Sequence, residues 1–221
     1  MDAGAPLVDV VATQEASQNA RILKILERVA CPVFIASSRD LESVSEVRTS
    51  QGVAAAAQLP DVTEVRAGSC LVLDGIQDPG NVGTLIRTAA WFGVKAVVCG
   101  PGTADPYQPK VVRASQGGLW DVQVVRSMDL RRLFASPRFS GCPRYVADMH
   151  GVSLGEWRPS GDSVLVMGSE AHGISEAARE GAVQAVTIER RGSGGTESLN
   201  AAVAGGIMLA HWLGRRAKPS G

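Results

Sequence analysis

At 221 residues, with 45% apolar and 20% charged side chains, the chain has the length of one ordinary domain, or of one domain with a small appendage, and ample material for a buried core. Its 25 Gly and 11 Pro are scattered, which excludes a fibrous or low-complexity protein, and no apolar run approaches the roughly 18 residues of a membrane-spanning helix. The formal net charge is zero, which alone gives no evidence for a nucleic-acid partner, but residues 1–66 sum to −3 and residues 67–221 to +3.

From the N-terminus, residues 17–29 (SQNARILKILERV) place apolar side chains at 22, 23, 25, 26 and 29, a helical spacing. Pro32 interrupts, and residues 33–36 form a short apolar run that predicts a strand. Ser-rich residues 37–50 read as a loop and a short helix, 53–57 as a strand, and 58–68, with Pro60, Asp61 and Gly68, as a linker. The pattern then changes. Residues 69–73 (SCLVL) predict a buried strand, and the turn 74–81 leads into a helix over 82–92, capped by Asn81 or Asp78 and closed by Gly93. Further strands are predicted over 94–99, 122–126, 144–148, 163–167 and 185–188. Further helices are predicted over 109–120, 129–135, 174–179 and 198–213. Strands that are apolar throughout and take turns with helices indicate an α/β fold, a parallel sheet covered on both faces.

The four Cys (31, 70, 99 and 142) have no C-x-x-C spacing and the three His (150, 172 and 211) no metal-ligand spacing, which argues against a disulfide framework and a metal site. The opening MDAGAPLVDVV lacks the basic and apolar regions of a secretory signal. A cytoplasmic location is expected, or an organelle if a targeting segment precedes this sequence. There is no G-x-x-x-x-G-K-[ST] loop, no G-x-S-x-G elbow, and no G-x-G-x-x-G between strand and helix. A nucleotide triphosphatase, a common hydrolase and a dinucleotide oxidoreductase are all disfavoured.

In an open α/β sheet, ligands sit beyond the carboxyl ends of the strands. Three such ends are rich in Gly and polar residues: DGIQDPGNVGTLIRT (74–88), MGSEAHGIS (167–175) and IERRGSGGTESLN (188–200). The first places Asn81 at a helix start and Arg87 six residues on. Taken alone, Arg87 reads as an exposed helical arginine. The second offers Glu170 between Gly168 and Gly173, which alone reads as a capping turn. The third sets Thr196, Ser198 and Asn200 after glycines that let a backbone approach a ligand, and alone reads as a flexible loop with a polar cap. Their joint order in one domain is the strong signal. Eighteen of the 22 basic residues are Arg. Clusters lie at Arg126, Arg131, Arg132, Arg138 and Arg144, at Arg190 and Arg191, and at Arg215, Arg216 and Lys218. They permit an RNA partner without demanding one.

The three segments resemble, in order, the three signature motifs of the SpoU/TrmH family of SPOUT RNA methyltransferases. LDGIQDPGNVGTLIRTAAWFG is similar to the first, VLVMGSEAHGIS to the second and ESLNAAVAGGIMLAHW to the third; ADPYQPKVVRASQGGLW (104–120) is also similar. The resemblance covers about residues 68–216. Residues 1–60, above all SEVRTSQGVAAAA (45–57), resemble the second half of the small α/β RNA-binding domain that precedes many members. The first helix and strand of that domain have no counterpart, so a truncated substrate-binding domain over 1–60 and a methyltransferase domain over 68–221 are expected.

The resemblance implies a parallel sheet with helices on both faces and a C-terminal trefoil knot, a homodimer, and S-adenosylmethionine as cofactor. It implies methylation of the ribose 2′-hydroxyl of tRNA or rRNA, with no metal and no membrane. By position it implies catalytic roles for Asn81, Arg87, Glu170, Ser198 and Asn200, and cofactor binding through the backbone at Gly168, Ile188 and Leu199. Two departures bear on the cofactor loop. Ile188-Glu189-Arg190 stands where members often have Ile-Pro-Met, and the loop from 188 to 199 is slightly longer than usual.

A ribose hydroxyl is a poor nucleophile at neutral pH and needs orientation and proton removal. A protonated guanidinium cannot act as a base, so Arg87 is read as the organiser of the target phosphate and hydroxyl. Its action as a base would need a large pKa shift. The competing reading is a catalytically weak RNA-binding or assembly protein that keeps the fold. The presence of all five polar motif residues argues against it.

Overall fold

The computed structural model describes residues 4–44, 50–62, 64–195 and 198–214. The chain forms two compact units, residues 1–61 and 62–221.

In the first unit, β1 (Leu7–Thr13) is central. It pairs in parallel with β2 (Val33–Ala36) and antiparallel with β3 (Val53–Ala57). The sequence predicts β2 and β3 with these bounds, but β1 was not anticipated: Asp9 breaks its apolar run, and what holds it is pairing on both edges. The helix predicted over 17–29 is two short helices, α1 (Gln14–Gln18) and α2 (Ala20–Leu26). Asn19 between them is extended, at φ −71° and ψ 123°, and its side chain accepts from the N–H groups of Arg21 and Ile22. An asparagine that caps the second helix therefore ends the first. The short helix α3 (Ser38–Val44) follows β2; residues 45–49 of the predicted loop and family-like segment lie outside the described residues.

The second unit holds a sheet of order β6-β5-β4-β8-β7-β9 in which every neighbouring pair is parallel. The strands are β4 (Cys70–Asp74), β5 (Ala96–Cys99), β6 (Gln123–Val125), β7 (Arg144–Ser153), β8 (Val164–Gly168) and β9 (Gln184–Thr187). Alternate residues of a strand face opposite sides, and here both sides are buried. Leu71, Leu73, Val97, Leu165 and Met167 join one cluster, Cys70, Val72, Val98, Val164 and Val166 the other. Each such buried side chain contributes about 1.5–3 kcal/mol of transfer free energy. Burial also pushes the Cys99 thiol up to about 12 and raises that of Cys70, so neither supplies a thiolate.

The first face is covered by α4 (Pro79–Trp91), α5 (Pro109–Ser115), α6 (Gly118–Asp121) and α9 (Ala201–Leu213). Residues of α7 (Leu130–Ala135) and α8 (Glu176–Arg179) contribute to the second cluster. The helix predicted over 109–120 breaks at Gln116 and Gly117, both at positive φ (49° and 92°). The break brings Gly118 against the backbone of Arg87, where an added Cβ would lie 2.9 Å from the arginine Cα. Gly83 of α4 meets α5 in the same manner, its Cβ position 2.7 Å from the Val111 carbonyl oxygen. Among the described residues, no helix is long and apolar enough to cross a membrane.

Candidate active site

The geometry starts at the carboxyl end of β4. Gly75, at φ +73°, turns the chain, and Thr103 holds the turn: its hydroxyl donates to the Leu73 carbonyl (2.7 Å) and accepts from the Gly75 N–H (3.0 Å). Helix α4 starts at Pro79, three residues before the predicted start. A proline at the first helical position has its φ already set and gives up an N–H that the helix leaves unpaired. Asp78 is the cap, accepting from the Asn81 N–H at 2.8 Å. Asn81 is thus not the cap. It lies in the first turn, and its carboxamide is free for other partners.

Those partners come from the other two segments. Strand β8 is in register with β4, Asp74 beside Gly168. Residues 169–173 then form a tight hairpin, closed by Ser169 N–H to Gly173 O (3.1 Å) and Gly173 N–H to Ser169 O (2.8 Å). The Ser169 hydroxyl accepts from the N–H groups of Ala171 and His172 inside it. Glu170 projects from this hairpin and accepts from Asn81 Nδ2 at 2.6 Å. Gly168 is a close-packing site: a Cβ there would run into the backbone of Gly173 and Ile174. Its missing side chain makes room for the hairpin, a reason internal to the chain.

The third segment leaves β9, at the far edge of the sheet, and returns to α9, which lies on α4. Gly205 of α9 sits where a Cβ would collide with Leu85. The helix begins at Ala201, so Ser198 and Leu199 precede it, and Asn200 is the cap. Its Oδ1 accepts from Ala202 N–H (3.0 Å) and Val203 N–H (3.3 Å). That fixes the amide orientation and aims Nδ2 at Asn81 Oδ1, 2.9 Å away. The result is a one-way chain of hydrogen bonds from the start of α9 through Asn200 and Asn81 to Glu170. The chain ends on Glu170 Oε1, which accepts from Asn81.

The structure therefore joins Asn81, Glu170 and Asn200, which are 89 and 119 residues apart in sequence. It leaves two candidates outside the chain. Arg87 is exposed on α4 and makes no ion pair or hydrogen bond with a described residue; Ser198 is exposed and likewise unbonded. Ile188 is half-buried against the first core cluster, and Leu199 is 45% exposed. Thr196 and the cluster Arg215, Arg216 and Lys218 lie outside the described residues. Sequence reasoning missed the supporting polar groups Asp74, Thr103, Ser169 and Ser175. For Ser169 and Ser175 the signal was there: a serine two or three residues ahead of a free N–H is a turn or cap signature.

The loop that joins β9 to α9 borders this polar chain at Asn200. Residues 189–195 make no backbone hydrogen bond with other described residues, and added Cβ atoms at Gly192, Gly194 and Gly195 would meet nothing within 4 Å. The loop thus offers free backbone donors and acceptors. Its flanks carry the apolar Ile188, packed against the first core cluster, and Leu199, which precedes Asn200. Farther along the strand ends, Asp148 on β7 pairs with Arg179 at 2.6 Å. The backbone N–H of His150, and then the Arg179 guanidinium, hold its carboxyl below the usual carboxylate range against an opposing desolvation effect.

Comparison with known proteins agrees on the family. The profile described as the SpoU rRNA Methylase family matches residues 68–210. The 23S rRNA (guanosine(2553)-2'-O)-methyltransferase RlmP of Bacillus subtilis is 34% identical over 182 residues, 82% of this chain and 72% of that protein. An uncharacterized tRNA/rRNA methyltransferase of Mycobacterium tuberculosis is 31% identical over 203 residues, 83% of this chain and 67% of that protein. Among solved structures, a putative RNA methyltransferase of the TrmH family from Porphyromonas gingivalis matches with a TM-score of 0.82 at 35% identity, over 96% of this chain and 84% of that one. The SpoU methyltransferase AviRb of Streptomyces viridochromogenes, solved in complex with AdoMet, shares the fold at a TM-score of 0.83 and 24% identity, over 97% of this chain and 84% of that one.

Proposed function

Because the chain belongs to the SpoU rRNA methylase family, we propose that it is an S-adenosylmethionine-dependent RNA methyltransferase acting on a ribose 2′-hydroxyl. The observation that carries this reading is the chain Asn200–Asn81–Glu170, which draws three separate segments to one place at the strand ends. The cofactor, when bound, supplies an electrophilic methyl group on a sulfonium sulfur. Ile188 and Leu199 would flank it with apolar surface, and the backbone at Gly168 and the open loop would meet its polar edges.

The remaining work belongs to the side chains. Arg87, exposed on the helix that carries Asn81 and without a partner among the described residues, would hold a phosphate and orient the neighbouring 2′-hydroxyl. Its positive field favours loss of the hydroxyl proton as the oxygen forms its bond to carbon. Glu170 and the two asparagines set the polar floor against which the ribose rests. Ser198, two residues before Asn200, is assigned to the same floor. Ribosomal RNA is the substrate to test first, since the named relative is a 23S rRNA enzyme. The location proposed with this reading is the cytoplasm, or an organelle that holds its own RNA.

The dimer and the knot belong to the same proposal. On α9, Ala201, Ala202 and Gly205 are buried within the subunit, so these small residues serve its own packing. The outward stripe is Val203, 51% exposed, with Ile207 one turn on. Trp91, 86% exposed, stands on neighbouring α4. That apolar stripe supports an isologous homodimer across α4 and α9. The return of the chain from β9 across to α4 supports the knotted threading. The direct test is incubation of the protein with rRNA or tRNA and isotopically labelled S-adenosylmethionine, followed by mass spectrometry of the nucleosides. Label on a 2′-O-methylnucleoside is the expected result; label on a base, or on nothing, overturns the proposal.

A further inference from the structure

Asp74 is the last residue of β4 and only 6% exposed, yet it carries a carboxylate into the core. Burying such a group is costly unless it is put to use. Its one hydrogen bond among the described residues crosses 101 positions of sequence: Oδ2 accepts from the Ser175 N–H at 2.6 Å, a short, charge-assisted bond. Ser175 is the cap of α8, its hydroxyl accepting from the Ala178 N–H at 3.3 Å. The segment between Gly168 and Ser175 is therefore held at both ends. Gly168 is fixed by the β4–β8 ladder and Ser175 by Asp74, and the hairpin with Glu170 lies between. Among the described residues, no guanidinium or ammonium is bonded to Asp74. Arg131, which lines the same cavity of about 240 Å³, is engaged with Glu176 and Glu180.

We propose that Asp74 is a positioning residue of this site: its buried carboxylate ties the hairpin that carries Glu170 to the strand that leads into the Asn81 helix. The inference rests on the reading of the site given above. Asp74 touches neither Asn81 nor Glu170. It acts by fixing the far end of the hairpin, so that Glu170 Oε1 stays within hydrogen-bond reach of Asn81 while substrate is bound. Without it, the far end of the hairpin keeps only the packing of Ile174 and its own backbone bonds, and the polar chain loses its terminal acceptor for part of the time.

The experiment uses the whole chain with four substitutions. Asp74→Ala removes the acceptor, whereas Asp74→Asn keeps an amide oxygen in its place. Ser175→Pro removes the N–H from the other side at a φ of −66°, which proline adopts. Ser175→Ala removes only the capping hydroxyl. Hydrogen exchange at residues 169–175, calorimetric S-adenosylmethionine affinity, thermal midpoint and single-turnover methyl transfer are read for each. Misplacement by an ångström can cost on the order of 100-fold in rate, so Asp74→Ala and Ser175→Pro are expected to slow transfer at least ~10-fold, with cofactor affinity changed less than ~3-fold. Both should exchange faster at 169–175 while β4 and β5 keep their protection. Asp74→Asn should recover most of the rate, and Ser175→Ala should stay near the wild type.

Unchanged exchange at 169–175 in both bond-breaking variants overturns the proposal. So does a rate loss in Asp74→Ala that Asp74→Asn does not rescue. Should Asp74→Ala fail to fold, the comparison of Ser175→Pro with Ser175→Ala decides on its own. If the wild-type chain transfers no methyl group to RNA, the functional reading fails, and the exchange data still decide whether Asp74 pins the hairpin.

Discussion

Arg87 and Asn81 share one helix but stand in opposite relations to their surroundings. Asn81 is committed at both ends of its amide, while Arg87 is uncommitted. A side chain exposed in this way contributes little to stability, and the role proposed for Arg87 lies in the transition state. Arg87→Ala is therefore expected to abolish detectable methyl transfer while leaving calorimetric cofactor affinity within a few-fold and the thermal midpoint within a degree or so. Near-normal turnover would remove Arg87 from the mechanism. Asp148 presents the reverse case, a residue that stabilises without being assigned to the chemistry. Its folded-state pKa lies below the unfolded value of about 3.9, so its contribution is present above that pH and is lost as pH falls through the lower, folded value. In urea melts, the gap between wild type and Asp148→Asn should be full at about pH 6 and shrink toward about pH 3. A gap that does not change with pH would contradict the assignment. The motif residues were legible as residues, but not their wiring. DGIQDPGN offers two good caps, and Pro79 is the signal that decides between them, since a proline marks the first helical position and leaves the cap to Asp78; the bonds from Asn81 to Glu170 and Asn200 have no such local signal.

At the level of elements, helix α4 is held by closely approaching backbones on two sides: Gly83 and Gly118 on the α5–α6 side, Gly205 on the α9 side. Alanine is the better helix former by about 1 kcal/mol. At Gly83, however, a Cβ would press on the Ala114 Cβ at 2.5 Å and the Val111 carbonyl at 2.7 Å, and a backbone oxygen cannot step aside. Gly83→Ala is expected to destabilise the domain by about 1–3 kcal/mol net, visible as a lower thermal midpoint. Gly192→Ala, in open space, should leave the midpoint unchanged. The buried strands β4, β5 and β8 were legible because an apolar run between Gly- and Pro-rich turns admits few other readings. Strand β1 was not, because its identity depends on partners 23 to 50 residues away. The break at Gln116 was not either: a glutamine at φ 49° is disfavoured locally and is kept there by the packing of Gly118 on α4.

For the whole molecule, the exposed Val203, Ile207 and Trp91 call for a partner surface. Light scattering at micromolar concentration should give about twice the 23.1 kDa chain mass. Ile207→Glu, on the outward side of α9, should return that mass to the monomer value without unfolding the sheet, because the side chain is not part of the subunit core. A wild-type monomer at full activity would refute the dimer. The route of the chain has a further consequence, for biosynthesis. Asn200, the first link of the polar chain, is supplied by a helix that begins at residue 201 of 221 and must travel back from the edge strand β9 to reach α4. Every other described component of the site is made earlier, and contacts over such long separations close late. A nascent chain halted before this helix leaves the ribosome would own most of the sheet and both earlier segments, yet no completed relay. Such a polypeptide would hold Asn81 and Glu170 on the assembled sheet and still lack the bond from Asn200.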